Sequence, residues 1–228
     1  MVLPLYLAVA AEEMGGPLPA RWGWMACCFD PEGSGPRELP EILPPGAMLI
    51  LSDRFPCHGH DPRNIAKALA RLEPESVLLD FEREPEEDSR MVADALFEAL
   101  PCPVAAPPGF IEDSGSPVFL PPCPLHVPLA EYLRPWQDRA IWLDVALRRQ
   151  TVTVTRDGTV YSPAVPADRQ GGVFDEVLMC QCVTELSEEE ARFTLYDTPD
   201  TLTTKLAEAA RLGTTRAVGL YQELKFPL

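Results

Sequence analysis

The run Ser76-Val77-Leu78-Leu79-Asp80-Phe81-Glu82 decides how the rest of the chain is read. It is a short, branched apolar segment between two stretches of helical periodicity and ends in two carboxylates spaced i,i+2, the pattern of a parallel strand buried on both faces. Alternation along a strand puts Asp80 and Glu82 on one face and Phe81 on the other. α/β folds carry their chemistry at the C-terminal ends of such strands, and two acids held together there raise one another's pKa. The pair is therefore a candidate catalytic constellation. The competing reading makes Asp80 a cap and Glu82 the first residue of the acidic loop Glu82-Arg83-Glu84-Pro85-Glu86-Glu87-Asp88.

Both flanks fit a strand at the centre of an α/β unit. Upstream, Asp61-Pro62 is a helix start, an N-cap acid followed by proline at the first helical position, and Ile65, Ala66, Leu69 and Leu72 form one apolar stripe. Downstream, Glu86, Glu87 and Asp88 load the first turn of a second helix, Met91, Val92, Ala95, Leu96 and Ala99 supply its buried face, and Pro101 stops it. Further apolar runs at residues 3–9, 22–29, 48–51, 104–106, 118–120, 141–145 and 217–221 read as strands. A helix is expected around Leu129, Tyr132, Leu133 and Trp136, and another from Thr198-Pro199 through Leu202, Leu206, Ala209 and Ala210 to Gly213. The proline-rich residues 31–45 read as a loop with one short helix at 39–43, and residues 187–191 as a helical turn between extended stretches at 173–184 and 193–196.

This alternation predicts an α/β fold, a single TIM-barrel-like (β/α)8 domain over residues 1–228, abbreviated or irregular because spacers such as 106–118 are too short for a full helix. Thr151-Val152-Thr153-Val154-Thr155, Arg156-Asp157-Gly158 and Thr159-Val160-Tyr161 form a β-hairpin excursion at about residues 150–162, turned by Asp-Gly.

A net charge of −16 disfavours nucleic acid and anionic membrane as partners, which select clustered Lys and Arg, and favours a neutral or small ligand. Seven cysteines, an odd number without a spacing framework, point to reduced thiols and a cytoplasmic address. The apolar residues 3–11 have no basic residue before them and are too short to cross a bilayer, so they are expected to be the first strand.

Two blocks resemble the family 18 glycoside hydrolases, which include chitinases, endo-β-N-acetylglucosaminidases and spore-cortex or spore-coat glycosidases. Leu79-Asp80-Phe81-Glu82 resembles the end of that family's fourth-strand signature, in which acids recur every second position and the final Glu is the acid. Tyr196-Asp197-Thr198-Pro199-Asp200-Thr201-Leu202, with Lys205-Leu206, Leu212-Gly213 and Ala217-Val218-Gly219-Leu220-Tyr221, is similar to its seventh helix and eighth strand. The departures are specific. Leu78 and Glu75 stand where the signature has further Asp residues, Tyr221 replaces the eighth-strand Trp, the sixth-strand Tyr-Asp pair has no counterpart, and Ser52-Asp53-Arg54-Phe55 stands where the third strand commonly ends in Ser-x-Gly-Gly.

The resemblance implies a retaining, substrate-assisted hydrolase of β-linked N-acetylglucosamine-containing glycans, an exception to the two-carboxylate scheme. Glu82, kept protonated by partial burial and by Asp80, would be the general acid, and Asp80 would orient the acetamide that attacks the anomeric carbon. Tyr221, Asp53 and Trp142 would line the sugar site, although Tyr221 and Trp142 read equally well as core aromatics. No metal or cofactor is required. The alternative is a catalytically inactive chitinase-like barrel that binds a glycan or a protein, favoured by Leu78 and the missing Tyr-Asp pair. Cys57-His58-Gly59-His60-Asp61 carries metal-ligating side chains, but its spacing suits a helix cap better than a zinc site.

Overall fold

The computed structural model describes residues 3–33, 35–111, 115–163 and 171–224. Eight parallel strands follow one another around a barrel in chain order: β1 (Leu5–Val9), β2 (Trp22–Phe29), β3 (Met48–Ser52), β4 (Ser76–Asp80), β5 (Val104–Ala105), β6 (Val118–Leu120), β7 (Ile141–Asp144) and β8 (Thr214–Leu220). The first and last strands are neighbours, with Leu5 opposite Ala217 and Ala8 opposite Leu220. Between β5 and β6 the wall is closed by a parallel bridge of Ala106 with Val118, where the Phe119 N–H donates to the Ala106 carbonyl at 2.8 Å. Followed once around the sheet, the pairings return with a stagger of eight residues, the shear of a TIM barrel.

Alternation along each strand divides the core into two layers. Val77 and Leu79 of β4 join Leu49, Leu51, Ile141 and Leu143 in the layer between barrel and helices. Leu78 points into the barrel with Tyr6, Ala8, Met48, Ile50, Ala105, Phe119, Trp142 and Val218. This interior cluster fills the barrel as a packed core. Gly23 on β2 admits Ile50 there, since a Cβ at Gly23 would stand 2.9 Å from Ile50 Cδ1. At the lower end Arg216 lies over the rings of Tyr6 and Trp142, donates to Ser76 Oγ at 2.6 Å, and shares Glu75 with the Tyr6 hydroxyl.

Among the described residues four α-helices cover the outside: α1 (Pro62–Ala70), α2 (Glu87–Ala99), α3 (Leu129–Leu133) and α4 (Pro199–Arg211). α1 starts as its sequence directs, with the Asp61 side chain accepting the Arg63 N–H, and α4 opens on a capping box between Thr198 and Thr201. The connections from β1 to β2, β2 to β3 and β5 to β6 carry no α-helix among the described residues, so the barrel is abbreviated on one side. Their prolines and glycines account for this, and they also remove the short helix expected at 39–43, where Pro40 and Pro44 leave bends only.

The expected hairpin is the first part of a larger excursion. Strands Arg149–Thr155, Gly158–Pro163, Val173–Asp175, Cys180–Leu186 and Glu190–Tyr196 form one antiparallel five-stranded sheet between β7 and α4. Residues 187–191 make its last hairpin turn instead of a helical one. The Ser187 N–H donates to the Glu190 carbonyl at 2.9 Å while the Ser187 hydroxyl accepts from Glu189 and Glu190 N–H groups, a local bond that competes with helix. Val152, Cys180 and Leu195 of this sheet pack with Leu125 on the barrel. All seven cysteines are free thiols. No helix among the described residues is long and apolar enough to cross a membrane.

Candidate active site

Because Leu78 faces the barrel interior, Asp80 does too, one layer higher at the C-terminal mouth. Asp80 is largely buried, and its pKa is pushed up to about 6, first by burial and then by the neighbouring charges of Glu82 and Asp53. Glu82, two residues beyond, is exposed; the partial burial expected for it is not found, because β4 ends at Asp80 and Glu82 lies on the following loop. The two acids line one cleft of about 520 Å³ together with Ser52, Asp53, Arg54 and Arg83.

Asp53 holds that cleft in shape. It is 6% exposed, and its two carboxylate oxygens accept the backbone N–H groups of Glu82 and Arg83, each at 2.9 Å. Arg83 returns the contact, donating through Nε to the Asp53 carbonyl at 2.9 Å and through its terminal nitrogen to the Arg54 carbonyl at 3.3 Å. The end of β3 thereby fixes the loop that carries Glu82. Two charge-assisted bonds in a buried setting are strong for their number.

The remaining sequence-predicted residues lie apart from this pair. Trp142 is 2% exposed, inside the barrel below the mouth, with the Arg216 guanidinium 4.6 Å from its ring centre. Tyr221 follows β8, donates its N–H to the Ala8 carbonyl at 3.0 Å, and packs half-buried against the layer outside the barrel. The interior direction at that height belongs to Leu220, which is 40% exposed. In the Cys57-to-Asp61 loop, the His58 ring donates to Asp88 at 3.0 Å with Glu86 at 3.2 Å, and both acids raise its pKa. His60 turns away, 9% exposed, and donates to the Asp30 carbonyl at 2.9 Å. The two imidazoles of this loop therefore serve different contacts, and no group of three His, Cys, Asp or Glu side chains among the described residues is placed to hold a metal.

The structure adds one acid that the sequence pattern alone did not single out. Asp144 ends β7 on its interior face, two residues above Trp142, and is largely buried. Its pKa is raised to about 7, by burial first and by Asp80 second, with the Val145 N–H pulling the other way. A signal was present: Ile141-Trp142-Leu143-Asp144 repeats the pattern of Val77-Leu78-Leu79-Asp80.

The chain matches no protein-family model and no curated protein. Among solved structures it is similar to the spore cortex-lytic enzyme SleL of Bacillus cereus, with a TM-score of 0.49 and 8% identity over 95% of this chain and 70% of that one. It is likewise similar to SleL of Bacillus megaterium QM B1551, with a TM-score of 0.48 and 10% identity over the same shares of the two chains.

Proposed function

We propose that this protein is a glycoside hydrolase that cleaves β-linked glycans containing N-acetylglucosamine, with retention of configuration and with the substrate's acetamide as nucleophile. The observation that carries the reading is the placement of Asp80 and Glu82 in one cleft at the C-terminal mouth of the barrel, one acid buried and one reaching solvent. Glu82, exposed in the free protein, is covered by the polymer lying across the mouth, which with the ionised Asp80 beside it favours the protonated carboxyl, and it donates that proton to the leaving glycosidic oxygen. Asp80, below it, accepts the acetamide N–H and balances the positive charge that grows as the acetamide oxygen closes on the anomeric carbon. That task needs Asp80 ionised, so kcat/KM is expected to fall as pH drops through about 6. The acids of the mouth and the net charge of −16 suit an uncharged sugar better than an anionic polymer.

The test is incubation with chitotetraose, following the anomeric protons of the products by NMR. The β-anomer appearing first supports the reading, and the α-anomer first, or no cleavage, opposes it. A second reading, a barrel that binds such glycans without cutting them, draws on Leu78. This side chain is 1% exposed and fills the interior position directly beneath Asp80 with hydrocarbon, leaving Asp80 no acidic partner on its own strand.

A further inference from the structure

β4 and β7 end alike, each with an apolar interior residue followed two positions later by an interior aspartate: Leu78 then Asp80, Trp142 then Asp144. The register sets their relative height. Counted through β5 and β6, the partner of Asp80 on β7 is Trp142; counted the other way, through β3, β2, β1 and β8, it is position 150. Barrel strands are tilted, so the true level of Asp80 lies between these two positions, closer to Trp142 because that route crosses fewer strands. That level is the top of β7, where Asp144 stands. Of the two strands between them, β6 carries the Phe119 ring inside opposite Trp142, below the level of Asp144, and β5 is low and small. β5 spans only Val104–Ala105, and its interior residue at the level of Leu78 is Ala105.

We propose that Asp144 is the proton-sharing partner of Asp80, a positioning residue that keeps its own carboxyl protonated so that Asp80 alone carries the negative charge at the floor of the cleft. The role in catalysis rests on the reading of Asp80 given above; the sharing itself does not. The two carboxyls act on one another through their charges, and no proton is consumed. Facing Asp144 are Asp80, Glu223, the Arg148 guanidinium and the Tyr132 hydroxyl, and facing Asp80 are Glu82 and Asp53. Arg148 is committed elsewhere, donating to the Pro122 carbonyl at 2.8 Å, and among the described residues neither aspartate forms a salt bridge. Two like charges in a largely buried space do not both ionise readily, so the protons leave in two steps, Asp80 near pH 6 and Asp144 near pH 7.

The experiment is a pH titration of the free protein with [13C]carboxyl-labelled aspartate, followed by NMR in wild type, Asp80→Asn and Asp144→Asn. Sharing predicts an asymmetric result. In Asp80→Asn the Asp144 step moves down by roughly half a pH unit or more, because the charge that opposes its ionisation is gone. In Asp144→Asn the Asp80 step stays in place, because Asp144 is still neutral when Asp80 ionises. An Asp144 resonance that ignores Asp80→Asn, or that titrates in the ordinary carboxylate range in wild type, overturns the proposal, and Asp80→Asn alone decides it if the other variant does not fold. Hydrolysis tests the catalytic role separately. Asp144→Ala is expected to lose roughly a hundredfold in kcat with little change in KM, while Asp144→Asn, neutral and of the same shape, keeps most of the activity; an unchanged kcat in Asp144→Ala removes the positioning role even where the titration shows sharing. A wild type that hydrolyses nothing removes the catalytic reading and leaves the titration to decide the sharing.

Discussion

A buried carboxyl with no salt bridge works against the fold as soon as it ionises, and among the described residues Asp80 is such a group. Its pKa is about 6 in the folded protein against an ordinary value of 3.8. Between those values the unfolded chain has lost the proton and the folded chain still holds it, so raising the pH favours unfolding. The stability associated with Asp80 is therefore present at low pH and is lost as pH rises through about 6, on the order of 3 kcal/mol in all. Asp144 extends the same trend to about 7. Thermal unfolding should show a wild-type melting temperature that declines from pH 5 to pH 8, and a shallower decline in Asp80→Asn with the variant more stable at pH 8. A variant less stable than wild type at pH 8 would contradict this expectation. At this scale the sequence was legible where chemistry is local. The Asp61 cap and the helix start at Thr198-Pro199 are found where the residues put them, and of the i,i+2 acids Asp80 ends the strand while Glu82 falls on the loop beyond it. Asp53, Trp142 and Tyr221 were harder, because which face and which depth they occupy depends on barrel register. Asp144 was hidden because Val145-Ala146-Leu147 continue the apolar run beyond it, so it looked like an interruption and not an end.

The elements divide by how much of each is buried. All eight barrel strands announced themselves as apolar runs because they are covered on both faces, whereas the inserted sheet mixes Thr, Glu and Arg with exposed Val160, Val173 and Leu186. Its first hairpin, pinned by Asp157-Gly158, was legible with its pairing, while residues 173–184 and 193–196 were legible only as extended, with no signal for which strand each would pair. The sheet is nevertheless separable in geometry. Its ends meet where the Asp197 N–H donates to the Arg148 carbonyl at 2.9 Å, and Asp197 itself is held to α4 by Lys205 at 2.5 Å and by the Thr201 hydroxyl. Replacing residues 149–196 with a short glycine linker should leave a barrel that still unfolds cooperatively, at a lower temperature because Leu125 loses its cover. Circular dichroism melting checks this, and the absence of a cooperative transition would show that the sheet is part of the barrel's folding unit.

At the scale of the molecule, a closed barrel brings to one end strand exits far apart in sequence: Ser52, Asp53, Asp80 and Glu82 line one cleft, and Asp144 ends β7 at the same end of the barrel, lining a second cavity towards α4. The apolar plug beneath them excludes water from one side, and the Asp53 clamp fixes Glu82 on the other. Hydrolysis at this mouth depends above all on Glu82 as the acid. The direct measurement compares wild type and Glu82→Gln on two substrates, chitotetraose and an aryl chitobioside, with thermal unfolding of both proteins as control. Glutamine keeps the shape and the hydrogen bonding but cannot release a proton, so cleavage of chitotetraose should fall by about a hundredfold to ten-thousandfold while the melting temperature stays put. The aryl glycoside, whose leaving group departs without a proton, should be cleaved with a far smaller loss. Equal cleavage of chitotetraose by the two proteins, or cleavage by neither, would contradict Glu82 as the general acid.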